Sequence, residues 1–545
     1  MLFRAGMALY HGRYWRPVER MASRPAATQQ NVLRRLLAAN RDTRFGIEHR
    51  FADIHGHADL VKHIPVQEYE MLRPYIEDQR RTGAAALTAE PPLFYAQTSG
   101  TTGKPKLIPI TSSMLKINRD EQALFSYLQY RACPAAFAGK GLGIMGAAVE
   151  GHLESGHAVG SVSGHLYRSM PDAVRSRFVL PPEVSEISDY NLKYLVIVRL
   201  ALGEPDITYL GSPNPTTFLR LLDVLNDQRE LLRKSLQTGR LDRLDELDTS
   251  VRNVVAPRIR PNGARAAQLA GGATLTYADL WPGIRLVTTW TGGSCGIALD
   301  KLREKLPSKA VVMELGYQST ECRGTIALEP ETSGGLPPLH HHFFEFVEQD
   351  AWDHDTPEFL TLAQLEAGRR YYILITTASG LYRYFMNDLV EVTGFFQQTP
   401  LLRFVQKGKG VTSLTGEKLY EGQTIDAVRE TTTRYGLSPG FFLLVADEAV
   451  SAYRLFIELE GDVRPDAREI GDAVDARLGE LNIEYHAKRE SGRLGTLTVA
   501  WLRRGTGEAY KAAGVRAGQR EGQFKPRVLQ YRKDIALPVE QYVVQ

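Results

Sequence analysis

FYAQTSGTTGKPKLIPIT, residues 94–111, sets two glycines and a cluster of hydroxyls and lysines between two short apolar runs. The preceding PPLFYAQ reads as a strand entering a loop, and KLIPIT as a strand leaving it. Backbone N–H groups, hydroxyls and a lysine are the groups that neutralise and orient phosphoryl oxygens. A phosphate is therefore the expected ligand, with Ser99, Thr101 and Thr102 as hydroxyl donors and Lys104 or Lys106 as the cation. The P-loop reading fails. Only two residues separate Gly100 from Gly103 where that motif needs four, Lys104 is followed by Pro105, and a strand follows where a helix is required. Serine, threonine and glycine loops are also common solvent-facing turns, so the rest of the chain must decide.

The surroundings read as an α/β chain. Residues 27–90 carry apolar residues at i, i+3 and i+4 in QQNVLRRLLAAN and VQEYEMLRPYIEDQRR, the pattern of amphipathic helices. In GSPNPTTFLRLLDVLNDQRELLRKSL, Asn214 is a good N-cap and Pro215 a good first helical residue, with Phe218, Leu222 and Leu225 on one face. The apolar segments IRLVTTW, AVVMEL, RYYILIT and DLVEVTGF alternate with helical or loop stretches. Beyond residue 400 the character changes. Strand candidates GFFLLVAD and AYRLFIELEG precede a helix near 465–481, and the glycine- and lysine-rich QKGKGVTSLTGEK connects the two regions. The expectation is a large N-terminal α/β domain over 1–404 and a small, separate C-terminal α+β domain over 405–545.

At 545 residues the chain is too long for one core, and its net charge of +3 implies neither nucleic acid nor an anionic membrane as partner. Three scattered cysteines argue against a disulfide framework and fit a reducing cytoplasm. No apolar run is long enough to span a bilayer. The start, MLFRAGMALYHGRYWRPVERM, is broken by arginines and reads as an amphipathic helix rather than a signal peptide.

Four further segments suit a nucleotide: MELGYQSTECRG with Tyr317, Thr320 and Glu321; LYRYFMNDLVEV with Tyr382, Arg383 and Asp388; LTGEKLYEG with Lys418; and GQFKPRVLQ with Lys525. Together they supply a ring for a base, a hydroxyl for phosphate, a carboxylate for Mg²⁺, a second for ribose hydroxyls, and two cations. Their order resembles the adenylate-forming superfamily. More narrowly, HIPVQEYEMLRPYIE, TSGTTGKPKLIPIT, GSPNPTTFLRLL, TWTGGS, FFEF, GEKLYE and FKPR, spread over about residues 60–530, resemble the GH3 family of acyl acid–amido synthetases, in a bacterial-type form.

The resemblance implies that Ser99, Gly100, Thr101 and Thr102 hold phosphates and that Tyr317 lies against adenine, with the backbone of Gly292, Gly293 and Ser294 on its other side. It implies Thr320 at the α-phosphate, Glu321 at Mg²⁺ and Asp388 at the ribose. Lys418 and Lys525 would reach the nucleotide from the small domain, and Lys106, Ser319 and Arg403 complete the nucleotide set. The resemblance further implies that this small domain is mobile, turning about a hinge at about 405–418 between the half-reactions. The family's glycine before the ribose aspartate is Asn387 here; asparagine tolerates the left-handed conformation better than most residues, so the turn is expected to survive. The activity implied is adenylation of a carboxylic acid by ATP and Mg²⁺, then transfer to an amine, that of an amino acid being expected. Transfer to a thiol such as coenzyme A, or a non-catalytic nucleotide-binding regulator, are the alternatives.

Other features have plainer readings. GLGIMG, residues 141–146, matches a dinucleotide fingerprint in letters, but lacks the helix and acidic residue that motif requires and reads as a closely packed strand and turn. Three adjacent histidines on a strand, His340 to His342, would alternate faces and not converge on one ion; they are expected to edge the acyl or amine entrance. His152, His157 and His165 read as exposed loop histidines, in a glycine-rich stretch that the resemblance places near the acyl pocket. Cys295 and Cys322 read as buried small residues rather than nucleophiles.

Overall fold

The computed structural model describes residues 2–98, 106–292, 295–353, 357–408, 410–412, 414, 417, 419–490, 494–517 and 524–544. Its centre is a four-stranded parallel sheet in the order Lys140–Gly143, Ile207–Gly211, Leu286–Thr289 and Val311–Glu314. The sequence between the strands supplies covering helices, among them Tyr190–Leu202 and Pro215–Asp227, whose buried leucines and valines form one continuous core with the sheet. Asn214 caps the second of these as the sequence predicts, accepting from the Thr216 N–H at 3.0 Å, and Phe218, Leu222 and Leu225 are buried. GLGIMG contributes the edge strand Lys140–Gly143, where a Cβ at Gly141 would stand 2.9 Å from the Tyr209 ring. That is the close packing expected of it.

Two further sheets, one mixed and one antiparallel, accompany this sheet. Phe94–Thr98 pairs antiparallel with Lys106–Ile110, Thr98 opposite Lys106, so the two strands read from the sequence are present; residues 99–105 lie outside the described residues. The second assembly has seven strands and includes Tyr384–Phe396 and Thr399–Lys407. Asn387 has φ +51°, the left-handed conformation anticipated for it, and its carbonyl accepts from the Gly408 N–H at 2.9 Å. The histidine run departs from expectation. The strand begins at Phe343, after a turn. Because a turn does not alternate faces, Nδ1 of His341 and Nε2 of His342 both lie 3.2 Å from Oε1 of Glu121.

The C-terminal sheet orders Thr498–Leu502, Ala452–Leu459, Pro439–Asp447 and Leu529–Tyr531. Strand periodicity divides its core. Phe442, Leu444 and Ala446 face the helices Glu421–Arg434 and Ala467–Leu481, whereas Phe441, Leu443 and Val445 share a cluster with Tyr510 and Ala513 of Thr506–Arg516. Among the described residues no helix is long and apolar enough to cross a membrane.

Candidate active site

In parallel sheets, ligands bind at the carboxyl ends of the strands. Here Ile207–Gly211 runs on into Pro213 and Asn214, Leu286–Thr289 into Trp290 and Gly292, and Val311–Glu314 into Gly316 and Tyr317. Pro213, Trp290, Gly292, Gly316 and Tyr317 line a cavity of about 410 Å³, within the range of small-molecule sites. Further walls come from the Ser112–Ala132 and Val162–Arg168 helices, the strand pair bearing Ala96 and Lys106, the strands bearing Asp388 and Phe404, and Lys525.

The 316–324 turn is built by small residues. Gly316 adopts φ +94°, and a Cβ there would meet the Thr325 carbonyl oxygen at 2.3 Å. A Cβ on Gly324 would stand 2.1 Å from Cδ1 of Tyr317, so the ring lies directly against that glycine. The Ser319 hydroxyl accepts from the N–H groups of Glu321 and Cys322, each at 3.2 Å. Ser319 thus holds the turn from within, while Thr320 and Glu321 at its tip line the cavity.

Tyr317 stacks on Phe404 with ring centroids 5.6 Å apart at 15°, and its hydroxyl donates to Oδ2 of Asp388 at 2.5 Å. Burial first, and the Asp388 charge second, push the phenol well above its ordinary range. Asp388 is itself 1% exposed. Nζ of Lys525 lies 4.0 Å from the Trp290 ring centroid and 5.2 Å from that of Phe404. Glu314 ties two strand ends together, accepting from the Thr291 N–H at 2.7 Å and the Gly316 N–H at 3.1 Å. Burial pushes the Glu314 carboxyl up, against the pull of those hydrogen bonds and of Lys525.

Of the residues expected from sequence, Lys106, Gly292, Tyr317, Ser319, Thr320, Glu321, Asp388, Arg403 and Lys525 all line this cavity. Lys106 donates to the Tyr384 hydroxyl at 3.3 Å, and Arg403 is tied to Glu391 at 2.8 Å. Ser99, Gly100, Thr101, Thr102, Lys104, Gly293, Ser294 and Lys418 lie outside the described residues. Tyr382 and Arg383 do not join the lining. Arg383, at φ +47°, donates from Nε to both oxygens of buried Glu345, at 3.0 and 3.1 Å, and from NH1 to the Ile64 carbonyl at 2.6 Å. Tyr382 stacks on Phe45 at 4.9 Å in the core. Here the tyrosine serves packing and the arginine a buried ion pair. Of the three histidines read as loop residues near the pocket, His165 stacks on Phe94 at 3.7 Å and His157 meets Tyr95 edge-on. Cys295 and Cys322 are buried, and burial raises both thiols, Cys295 to about 11.

Sequence reasoning missed Glu314, Phe404, Arg323 and Glu121, and drew no role in the site from Trp290. The signal for Glu314 is a carboxylate ending the apolar run AVVMEL, where a parallel strand delivers its last residue to the ligand side.

Residues 15–311 match the GH3 family N-terminal domain, residues 336–407 the GH3 family central domain and residues 423–533 the GH3 family C-terminal domain. The indole-3-acetic acid-amido synthetase GH3.15 of Arabidopsis thaliana is 26% identical over 445 residues, covering 76% of this chain and 73% of that one. The indole-3-acetic acid-amido synthetase GH3.8 of Oryza sativa subsp. indica is 24% identical over 548 residues, covering 94% and 90%. A solved structure, AtGH3.15 acyl acid amido synthetase in complex with 2,4-DB, has the same fold, with a TM-score of 0.86 at 20% identity over 97% of this chain and 96% of that one.

Proposed function

The chain belongs to the GH3 family, and on that premise we propose that it uses ATP to activate a carboxylic acid as an acyl-adenylate and passes the acyl group to the amine of an amino acid. The observation that carries this reading is the gathering of Tyr317, Thr320, Glu321, Asp388 and Lys525 around one cavity, although the last lies more than 130 positions beyond the others. Family membership favours the amine over a thiol acceptor or a regulator.

In the first half-reaction a carboxylate oxygen attacks the α-phosphorus, forming the mixed anhydride as the bond to pyrophosphate breaks. Two anions must approach, so the work of the site is charge neutralisation and in-line positioning. Lys525 brings an ammonium to the α-phosphate, Lys106 supplies a second cation, and Thr320 donates its hydroxyl. Adenine lies against Tyr317, and Asp388, fixed by the Tyr317 hydroxyl, takes the ribose. Glu321, with the neighbouring Thr320 hydroxyl, offers the oxygen donors that would hold a magnesium ion. When bound, that ion would supply positive charge to offset the charge developing on the pyrophosphate. In the second half-reaction the amine nitrogen attacks the acyl carbon, AMP leaves, and the nitrogen releases a proton. Rotation of 405–545 about 405–418 moves Lys525 out and admits the amine between the two steps.

The wall contributed by the Ser112–Ala132 helix is polar, with Asn118, Glu121 and Gln122. It favours an acid carrying hydrogen-bonding substituents. The test is acid-dependent ATP–pyrophosphate exchange over matched hydroxylated and unsubstituted aromatic, indolic and aliphatic acids. Exchange with an acid, followed by amide formation with an amino acid, is expected. Silence across the panel from folded, ATP-binding protein would overturn the reading.

A further inference from the structure

The segment carrying Lys525 is held at both ends by groups from different parts of the molecule. On one side the Val528 N–H donates to Oε1 of Glu421 at 2.7 Å, a contact within the C-terminal region. On the other, Nδ2 of Asn214 donates to the Phe524 carbonyl at 2.9 Å, reaching across from the parallel sheet. Lys525 lies between these anchors, over Trp290. Asn214 is 6% exposed, and its Oδ1 is already committed to the Thr216 N–H and hydroxyl at the start of its helix. One amide therefore does two things: its oxygen caps a helix, and its nitrogen grips the chain next to the lysine. The capping bond fixes the side-chain rotamer, so the nitrogen is pre-aimed at Phe524 with little ordering entropy left to lose.

We propose that Asn214 is a positioning residue that holds the Phe524 backbone, and with it Lys525, in the arrangement used for adenylate formation. The inference rests on the two-step reading above. If the small domain rotates, the Glu421 anchor travels with Lys525 and the Asn214 anchor stays behind. The Asn214–Phe524 bond is then made in the first half-reaction and absent in the second.

Asn214→Asp separates the two roles. An aspartate keeps the capping acceptor, removes the donor, and sets a carboxylate oxygen against the Phe524 carbonyl. Losing a buried hydrogen bond and leaving an acceptor opposed is worth about tenfold or more in an equilibrium. Pyrophosphate exchange in Asn214→Asp should fall about tenfold, whereas aminolysis of supplied acyl-adenylate stays within about twofold of the unaltered enzyme. An equal fall in both halves, or no fall in exchange, would overturn the assignment. A readout independent of turnover uses spin labels at the exposed positions Val174 and Val463 in a Cys133→Ser background. Asn214→Asp should add a second inter-label distance population, and an unchanged distribution would overturn the proposal. Asn214→Ser, which caps but cannot reach Phe524, should repeat both results if the aspartate perturbs folding. Silent exchange in the unaltered enzyme, alongside a distance shift in the variant, would count against adenylation and leave the anchor standing.

Discussion

Lys525 projects from a segment the fold holds independently of its side chain: the Phe524 ring packs against Tyr510, and the Val528 N–H is bound by Glu421. Cutting the lysine back to Cβ should therefore remove an ammonium from the cavity and little else. Lys525→Ala is expected to lose adenylation by at least about a hundredfold, as loss of one charge-stabilising group does in such sites, with an unchanged melting temperature. Normal pyrophosphate exchange in that variant would refute the role. The cysteines give a second residue-scale expectation. Burial disfavours the thiolate at Cys295 and Cys322, so at pH 8 only Cys133, which is half-buried, should react rapidly with a thiol reagent. One rapid equivalent per chain in the native state, rising to three on denaturation, is the expected titration. Three rapid equivalents would mean that the buried thiols are reachable.

The element that concentrates most chemistry is the 316–324 turn, and its glycines are what let it exist. With a Cβ 2.1 Å from the Tyr317 ring, Gly324→Ala must displace the tyrosine from Phe404 and Asp388. A loss of about 1–3 kcal/mol of stability is expected, with weaker nucleotide binding by calorimetry. Unaltered affinity would show that the ring does not form the base platform. This turn was legible in the sequence because its residues are contiguous: GYQSTECRG carries the glycines, the hydroxyls and the carboxylate within nine positions. The helix start at Asn214 was legible for the same reason, since a cap is a local property, whereas the left-handed Asn387 was anticipated from the family resemblance and lies within the strand Tyr384–Phe396. Glu314, Phe404 and the site role of Trp290 were not. Their place depends on how parallel strand ends and an antiparallel pair meet, which no short window of sequence records. The histidine run shows the converse error: a strand period was applied to residues that form a turn. Arg383, polar and next to a site motif, went instead to a buried pair with Glu345, because burial of a charge demands a partner wherever the chain places it.

At the scale of the molecule, the C-terminal sheet has apolar residues on both faces and helices over each, so its core is complete without the parallel sheet. A fragment comprising residues 405–545 should fold alone, with cooperative thermal unfolding and dispersed amide resonances. A collapsed, non-cooperative fragment would contradict a separately moving domain. Among the described residues, the contacts that join the two parts include Lys301 to the Pro439 carbonyl at 2.8 Å, Asn214 to Phe524, and Lys525 over the Trp290 ring. Each such contact is individually modest, as the proposed rotation of the small domain would require.

The ammonium of Lys525 resting 4.0 Å from the Trp290 ring has an optical consequence. A cation over an indole face perturbs the excited state of that ring, and its departure restores the emission. Trp290 is thus an intrinsic fluorophore placed where the lysine would arrive and leave in the proposed rotation. A stopped-flow trace of a single turnover should carry two changes of opposite sign, one as the small domain seats and one as it withdraws. Replacing Trp290 with phenylalanine should erase both while leaving the other tryptophans as a constant background. The rates of closing and opening could then be read in real time, with no label attached.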